Sequence, residues 1–362
     1  MRRAMREEPE LPQGDIAPGC PHPRSVYDLL GHDDAEQKIA AALGSGHMHH
    51  AWLLTGPAGV GKATLAYRLI RRILGGAPQT LAALDVPQSD PIAARVESLG
   101  HGDFLLLRRP YDFKTKKLRT EITVSETRKL QDFFSRKPAE GGWRVALIDS
   151  ADQMNISAAN GVLKTLEEPP DKALLILLSS EPGRLLPTIR SRCMHLALRG
   201  VSTGEITEWL TAQNNPPALA KLAASLSRGA PGKAFALAEN ESAVLRPLQN
   251  WLASLPHGNA QLEHRIADSL AAPKAIAARA LFWDALTDLV YHQARYAAAG
   301  QWPEALNNAG MKPLRLDRPQ KFWLSLWEEL QGHRRAEMGL NMDKKTVMLT
   351  ALSAVRAQNI KR

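Results

Sequence analysis

Short runs of continuous apolar residues alternate, in the first half of the chain, with stretches whose apolar positions recur every three or four residues. The apolar runs, which predict buried strands, cover residues 51–54, 104–107, 143–149 and 173–178. The periodic stretches, which predict helices, cover residues 62–74, 125–136 and 157–168. A capping-box pattern of Asp33 with Glu36 predicts a further helix that ends at Gly44. Parallel strands covered on both faces have continuous apolar runs, so we expect residues 25–198 to form an α/β domain with a parallel sheet.

The second half of the chain has no strand pattern and consists of segments rich in Ala and Leu with helical spacing. Its two clearest apolar stripes are Phe282, Leu286, Leu289, Val290 and Trp323, Leu326, Trp327, Leu330. Gly and Pro in 227–232 and around Pro256 predict hinges. We therefore expect a small helical lid domain over 199–245 and a helical collar over 246–362. Residues 1–24, which are rich in proline, are predicted to form a mobile or clasping arm.

Composition narrows the class of protein. The chain has 362 residues, 44% hydrophobic and 23% charged, as expected for two or three globular domains and not for a disordered or fibrous protein. Cys20 and Cys193 are its two cysteines, too few for a disulfide framework or a cysteine-rich zinc site. With neither a leader pattern nor a long apolar run, we expect a cytoplasmic protein without membrane contact. A net charge of +9 suits nucleic acid, an acidic partner or solubility alone.

A phosphate-binding pattern follows the first predicted strand. Residues 56–62 fit G-x-x-x-x-G-K and precede a predicted helix, which is the context that the motif requires. Gly56, Gly59 and Gly61 would let backbone N–H groups surround phosphates, and Lys62 would reach the β- and γ-phosphates. These residues predict a P-loop nucleotide site.

Two positions depart from the pattern of a hydrolysing site. Ala63 stands where a hydroxyl would hold Mg²⁺, and Thr64 is rotated from it by about 100° of helix. Asp149 ends a predicted strand and would face the metal, but Ser150 follows it where many such ATPases have a glutamate. Asp152 is the alternative base. We expect weakened hydrolysis, and the sequence leaves open whether the loop is empty or binds ATP or ADP without turnover.

Three further segments carry a family resemblance, which spans roughly residues 25–235. The segments are 149–154 (DSADQM), 159–170 (ANGVLKTLEEPP) and 185–193 (LLPTIRSRC). They resemble the bacterial clamp-loader branch of the AAA+ ATPases. The departures at Ala63 and Ser150 are more similar to a subunit that does not hydrolyse ATP than to the hydrolysing subunit. The resemblance implies a RecA-like AAA+ domain, a small helical lid and an all-α collar.

The resemblance also implies roles for single residues. Arg192, in the Ser-Arg-Cys triplet, corresponds to an arginine finger inserted into the ATP site of a neighbouring subunit, although an arginine after a strand is otherwise usually a surface or capping residue. A permanently charged, forked guanidinium suits that task. Ser179 matches the sensor-1 position. The sensor-2 arginine has no clear counterpart, because Gly232 stands there with Lys233 beside it.

The implied partners are gamma/tau-like ATPase subunits and a delta-like subunit in a heteromeric ring, which loads a sliding clamp on primed DNA. In that ring this chain would be a stator within a DNA polymerase III holoenzyme. The alternative is an active AAA+ ATPase of the motor type, which uses Lys62 and Asp149 and recruits Thr64 or Asp152. Many relatives carry a four-cysteine zinc module after the P-loop helix, but residues 75–102 contain no cysteine, so zinc is not expected.

Three features have no assigned role at this point. His47, His49 and His50 are interpreted as a solvated or core-edge cluster rather than a metal site. The run 108–119 has six basic residues and one acidic residue, and it fits a DNA backbone contact, an acidic subunit or a solvated hairpin. The stripe around Trp323 and its counterpart in the preceding helix suit bundle packing or a collar interface.

Overall fold

A computed structural model describes residues 12–78, 84–140, 142–255, 258–314, 318–339 and 342–357. The chain divides into two compact units, of which one contains 21–199 with residues up to Ile16 and the other contains 17–20 with the residues from Gly200 onward. The first part of the predicted arm, 1–11, and the hinge expected at Pro256 lie outside the described residues. The division of the second unit into lid and collar stays a prediction.

The first unit is built on a parallel sheet, as predicted, and this sheet has five strands. The strands of the chain are β1 (Ala51–Thr55), β2 (Phe104–Leu107), β3 (Tyr111–Asp112), β4 (Lys117–Leu118), β5 (Arg144–Ile148), β6 (Ala173–Ser179) and β7 (Met194–Ala197). The sheet has the order β2-β5-β6-β1-β7, and every neighbouring pair in it is parallel. Strands β3 and β4 form a separate antiparallel hairpin. The carboxyl ends of β1, β5 and β6 therefore meet at one edge, where ligands bind in such sheets.

Helices cover both faces of this sheet. They are α1 (Asp33–Gly44), α2 (Lys62–Ile73), α3 (Pro91–Glu97), α4 (Val124–Ser135), α5 (Ile156–Glu167) and α6 (Pro187–Arg190). Because side chains alternate along a strand, Trp52 and Leu54 of β1 join the apolar cluster of α1 and α2, whereas Ala51 and Leu53 join that of α4 and α5. Burial on both faces explains the continuous apolar runs in the sequence.

The start of α1 differs from the prediction. The helix does end at Gly44, but its N-cap is His32 rather than Asp33, and no side-chain hydrogen bond caps it. Glu36 instead accepts a hydrogen bond from Arg68 at 2.7 Å and another from the backbone N–H of Leu84 at 3.0 Å. The predicted capping box is wrong, because the Glu36 carboxylate binds Arg68 and the backbone of Leu84 instead of the backbone at the start of α1.

The described residues of the second unit form helices joined by turns and loops, with no strand among them. Its helices are α7 (Thr203–Ala212), α8 (Pro217–Leu226), α9 (Pro231–Glu239), α10 (Arg246–Ser254), α11 (Ala260–Ala271), α12 (Ile276–Ala299), α13 (Glu304–Asn308), α14 (Gln320–Gly339) and α15 (Lys344–Ala357). Trp283 of α12 and Trp323 of α14 are buried, which confirms that both stripes pack in a bundle. Among the described helices, none is long and apolar enough to cross a bilayer.

Candidate nucleotide site and arginine finger

The loop that links β1 to α2 begins at a position that only glycine can occupy. Gly56 has φ +146°, and a Cβ added to it would lie 2.4 Å from the carbonyl oxygen of Leu198. Its N–H donates to the carbonyl of Ser179 at 3.3 Å. The loop is therefore held against the ends of two neighbouring strands, and a side chain here would push it away.

The rest of the loop turns its backbone toward the start of α2. Gly59 and Gly61 have φ of +77° and +114°, and Gly61 is the N-cap of α2. The free N–H groups of the first turn of a helix, together with a preceding glycine loop of positive φ, form a concave site for anions. His32 supports the loop from outside, since its Nε2 hydrogen-bonds to the carbonyl of Val60 at 2.8 Å. Sequence reasoning missed His32, because nothing local marks it as a partner of residue 60.

Lys62 is buried and bound by the loop itself. Its Nζ donates to the carbonyl oxygens of Gly56 and Pro57, both at 2.8 Å, and to Oγ of Ser180 at 2.9 Å. Burial lowers the pKa of Lys62 to about 8, although the nearby carboxylates of Asp149 and Asp152 act in the opposite direction. Ser180 is a second residue that sequence reasoning missed.

The position after the lysine carries no hydroxyl. The Ala63 methyl group packs against the apolar cluster beneath α1 and α2. Thr64 is half-buried, and its orientation away from the phosphate site stays a prediction. The first turn of α2 therefore has the backbone of a phosphate site but lacks, at residue 63, the oxygen that would bind Mg²⁺.

Asp149 lies just beyond β5 and is buried, with a hydrogen bond from the Ser150 hydroxyl to its Oδ1 at 3.0 Å. Burial raises the pKa of Asp149 to about 7. The negative charges of Asp15 and Asp152 add to this shift, whereas the Ser150 hydrogen bond and Lys62 oppose it. A buried acid with a strongly raised pKa, at the carboxyl edge of a parallel sheet, is typical of a functional site.

The two remaining polar positions of this edge have different partners. One carboxylate oxygen of Asp152 accepts the N–H of Ser180 at 3.1 Å, so this side chain helps to fix the end of β6. Its role as an alternative base stays a prediction. Ser179 is fully buried, and its hydroxyl has no hydrogen-bond partner among the described residues. The structure thus brings the predicted P-loop, Asp149 and Ser179 together.

Arg192 lies just after α6, away from the apolar cluster that holds Ile189. Its guanidinium forms an ion pair with Glu167 at 3.0 Å and donates to the carbonyl of Thr188 at 3.1 Å. The side chain is 37% exposed. The next residue, Cys193, packs against the core, and burial raises the pKa of its thiol to about 12, as expected for a small apolar-like side chain. The Arg192 side chain is therefore both held in one orientation and accessible to solvent.

The residue beside the sensor-2 position is engaged within the second unit. Lys233, in the first turn of α9, forms a short ion pair with Asp288 of α12. Asp288 is buried, and burial raises its pKa although Lys233 and Arg228 both oppose the shift. Gly232, at the sensor-2 position itself, follows Pro231 in the same helix.

A buried charge cluster at the end of β2 was not predicted. The Asp15 carboxylate is fully buried, 3.0 Å from Nε2 of His22, and forms a short ion pair with Arg108. Burial acts to raise the pKa of Asp15, but the His22 hydrogen bond and the Arg108 charge outweigh it, so this pKa is lowered. Gln13 accepts a second hydrogen bond from Arg108 at 2.7 Å. This part of the arm is anchored to the sheet.

Metal ligation finds no support among the described residues, which include no group of three or more His, Cys, Asp or Glu placed to hold an ion. His49 and His50 stack on each other with ring centroids 4.3 Å apart, and Nδ1 of His49 contacts the backbone of Ala51. The histidines therefore lie at the start of β1 as a local cluster.

A family model and known proteins are similar to part of this chain. Residues 31–202 match the family model described as DNA polymerase III, delta subunit. Over 176 residues the chain is 35% identical to DNA polymerase III subunit delta' of Pseudomonas aeruginosa. This part of the chain is therefore similar to delta-type subunits of DNA polymerase III.

The match to the Pseudomonas subunit covers only part of each chain. It covers 48% of this chain and 51% of the Pseudomonas protein, so the chain spans about half the length of that relative. A second match, 32% identical over 209 residues, is to DNA polymerase III subunit tau/gamma of Haemophilus influenzae and covers 56% of this chain and 28% of that one.

Among solved structures, a gamma subunit-related protein of Thermotoga maritima has a TM-score of 0.44 at 16% identity, covering 90% of this chain and 99% of that one. A RuvB variant of the same organism has a TM-score of 0.40 at 15% identity, with 85% of this chain and 90% of that one covered.

Proposed function

We propose that this chain is a delta-prime-like clamp-loader subunit that does not turn over ATP and that supplies Arg192 to the ATP site of a neighbouring subunit. One contrast carries the proposal. The chain's own phosphate loop lacks a metal-binding hydroxyl at Ala63, whereas Arg192 is accessible and held in one orientation by Glu167 and Thr188. The similarity of residues 31–202 to clamp-loader proteins supports the same interpretation.

The phosphate loop fits ATP or ADP as a bound ligand. Gly59 and Gly61 form the concave backbone, the start of α2 supplies positive potential, and the free hydroxyl of Ser179 lies at the end of the neighbouring strand. Lys62 would exchange its loop carbonyls for phosphate oxygens. Without a hydroxyl at position 63 and with Ser150 after Asp149, the loop would hold phosphates without activating water.

Arg192 would act on a neighbour's nucleotide. A guanidinium is always charged, and it can donate two hydrogen bonds to phosphate oxygens as negative charge develops on them. Supplied in trans, such an arginine raises turnover by about 10³- to 10⁵-fold in other phosphoryl-transfer systems. The neighbours would be gamma/tau-like ATPase subunits and a delta-like subunit, and the ring would place a sliding clamp on primed DNA in the cytoplasm.

The test is ATP hydrolysis by a complex reconstituted with gamma/tau and delta subunits, a sliding clamp and primed DNA. Arg192→Ala is expected to assemble normally and to reduce turnover several-fold, because only the ATP site that Arg192 completes loses activity. Arg184→Ala is the matched control, because Arg184 is 63% exposed and pairs with Glu181 only at 3.6 Å. Equal turnover in the two variants would refute the proposal.

The alternative function is an ATPase that uses its own loop. The charge of Asp149 acting on a buried Lys62 favours it, as does the tau/gamma match. That function requires turnover by the isolated chain and loss of turnover in Lys62→Ala. A delta-prime-like subunit requires neither.

A further inference from the structure

The basic run 108–119 folds into an aromatic-tipped hairpin. Strands β3 and β4 pair through Tyr111 with Leu118, and the N–H of Arg119 donates to the carbonyl of Pro110 at 2.9 Å. Residues 113–116 form the tip. Strands β3 and β4 form a sheet of their own, separate from the five-stranded sheet.

The one acidic side chain of this hairpin is used internally. Asp112 accepts the N–H groups of Lys114 at 2.9 Å and Thr115 at 3.2 Å, and it lies 3.4 Å from a guanidinium nitrogen of Arg119. The backbone hydrogen bonds to Thr115 and Lys114 lower the pKa of Asp112, so it is ionised and satisfied at neutral pH. It shapes the turn, and among the described residues no ion pair is seen for Lys114, Lys116 or Lys117.

The cations and an aromatic ring share the exposed tip. Lys114, Lys116 and Lys117 are exposed. Phe113 is 73% exposed, and its ring meets the Tyr111 ring edge to face with centroids 5.2 Å apart. A single exposed apolar residue needs no explanation, but a largely exposed aromatic ring next to three exposed lysines combines apolar and positively charged surface at one tip.

We propose that this hairpin binds single-stranded nucleic acid, with a base stacked on Phe113 and phosphates at the three lysines. A nucleotide chain offers a flat apolar face and a negative charge at each step, which matches the combination at the tip. An acidic peptide would satisfy the lysines but would leave the Phe113 ring in water. The binding is independent of the proposed function, since it requires neither ATP nor a neighbouring subunit.

Binding is measured on the full chain by fluorescence anisotropy with a labelled oligo(dT) of about 20 nucleotides, at several salt concentrations. Phe113→Ala is expected to weaken binding about 5- to 100-fold, as loss of one stacked base does, and Phe113→Trp is expected to retain it. Replacing Lys114, Lys116 and Lys117 by Ala is expected to reduce the slope of log K against log salt concentration by about two. Each lost phosphate contact removes about 0.7 from that slope.

Two matched controls use exposed side chains elsewhere. Lys38→Ala removes an exposed charge from α1, and Ile276→Ala removes an apolar side chain that is 62% exposed. Both are expected to bind the oligonucleotide as the wild type does. Because every substituted side chain is exposed, the variants should melt at the wild-type temperature, which circular dichroism checks.

Two results would overturn the inference. If Phe113→Ala binds as tightly as Ile276→Ala, no base stacks on the ring. If the hairpin variants keep their oligonucleotide affinity but no longer join the reconstituted complex, the hairpin is a protein contact instead. Arg192→Ala separates this inference from the proposed function, because it should bind the oligonucleotide normally whatever its effect on ATP turnover.

Discussion

Replacing Asp15 by Asn tests whether the arm is anchored by buried charge. The substitution keeps the size of the side chain but removes the negative charge that faces His22 and Arg108. Arg108 would then lie near the sheet edge with neutral amide oxygens, that of Gln13 among them, as its acceptors. An arginine that loses a buried carboxylate partner retains the cost of its own desolvation, so the loss exceeds that of an ordinary hydrogen bond.

The expected magnitude follows from the burial of the two partners. Breaking a buried ion pair by removing one member costs about 3–5 kcal/mol. The Asp15 side chain is fully buried, but that of Arg108 is 25% exposed and retains its bond to Gln13, so we expect a loss of about 2–3 kcal/mol in the free energy of unfolding of the first unit. Asp112→Asn should have a much smaller effect, because Asp112 pairs with the exposed Arg119 and an amide oxygen can still accept the N–H groups of the turn.

The assay is urea unfolding at pH 7 and at pH 3, followed by circular dichroism and by tryptophan fluorescence, to which the buried Trp52 of the first unit contributes. Because the pKa of Asp15 is lowered below 3.8, its stabilisation is present above about pH 4 and is lost as the pH falls through the folded-state pKa. The difference between wild type and Asp15→Asn should therefore shrink at pH 3. Equal stability of Asp15→Asn and Asp112→Asn at pH 7 would show that the buried charge of Asp15 does not stabilise the first unit.

Three further predictions follow from single contacts. Gly56→Ala should destabilise the first unit by about 1–3 kcal/mol in thermal unfolding and abolish nucleotide binding, whereas Gly44→Ala, with nothing within 4 Å of the added Cβ, should do neither. Glu167→Gln should reduce ATP turnover in the reconstituted complex about 3- to 10-fold without preventing assembly, because Arg192 loses the ion pair that orients it; no difference from Glu168→Gln would contradict this. Because burial raises the pKa of Asp149 to about 7, stability should fall as the pH rises from about 4 to 7, and Asp149→Asn should remove that part of the fall; an unchanged pH profile of unfolding would contradict this.

The sequence predicts the sheet well because each central strand is a continuous apolar run. The predicted strands and the observed ones, such as 143–149 against Arg144–Ile148, differ by at most one residue at either end. The edge strand β7 was missed, because it has only four residues and His195 interrupts its apolar positions. The P-loop was as predictable as the central strands, since its glycines are required by backbone geometry that shows directly as a motif. Local chemistry determines both features, so a local pattern is enough to find them.

The contacts that support the site were not predictable in this way. His32 with Val60, and Asp15 with Arg108, join residues distant in sequence, and no local pattern specifies either pair. The capping box at Glu36 failed for the same reason, since a distant arginine competes for its carboxylate. Tertiary partners decide the role of a polar side chain wherever several partners are within reach, and the sequence alone does not order them.

The most direct test of the account is steady-state ATP hydrolysis by the purified chain alone, with Mg²⁺, in the presence and absence of primed DNA. We expect no turnover above background and no change in Lys62→Ala, because Ala63 offers no hydroxyl to a metal. Robust turnover that Lys62→Ala abolishes would contradict it and would identify the chain as an ATPase in its own right.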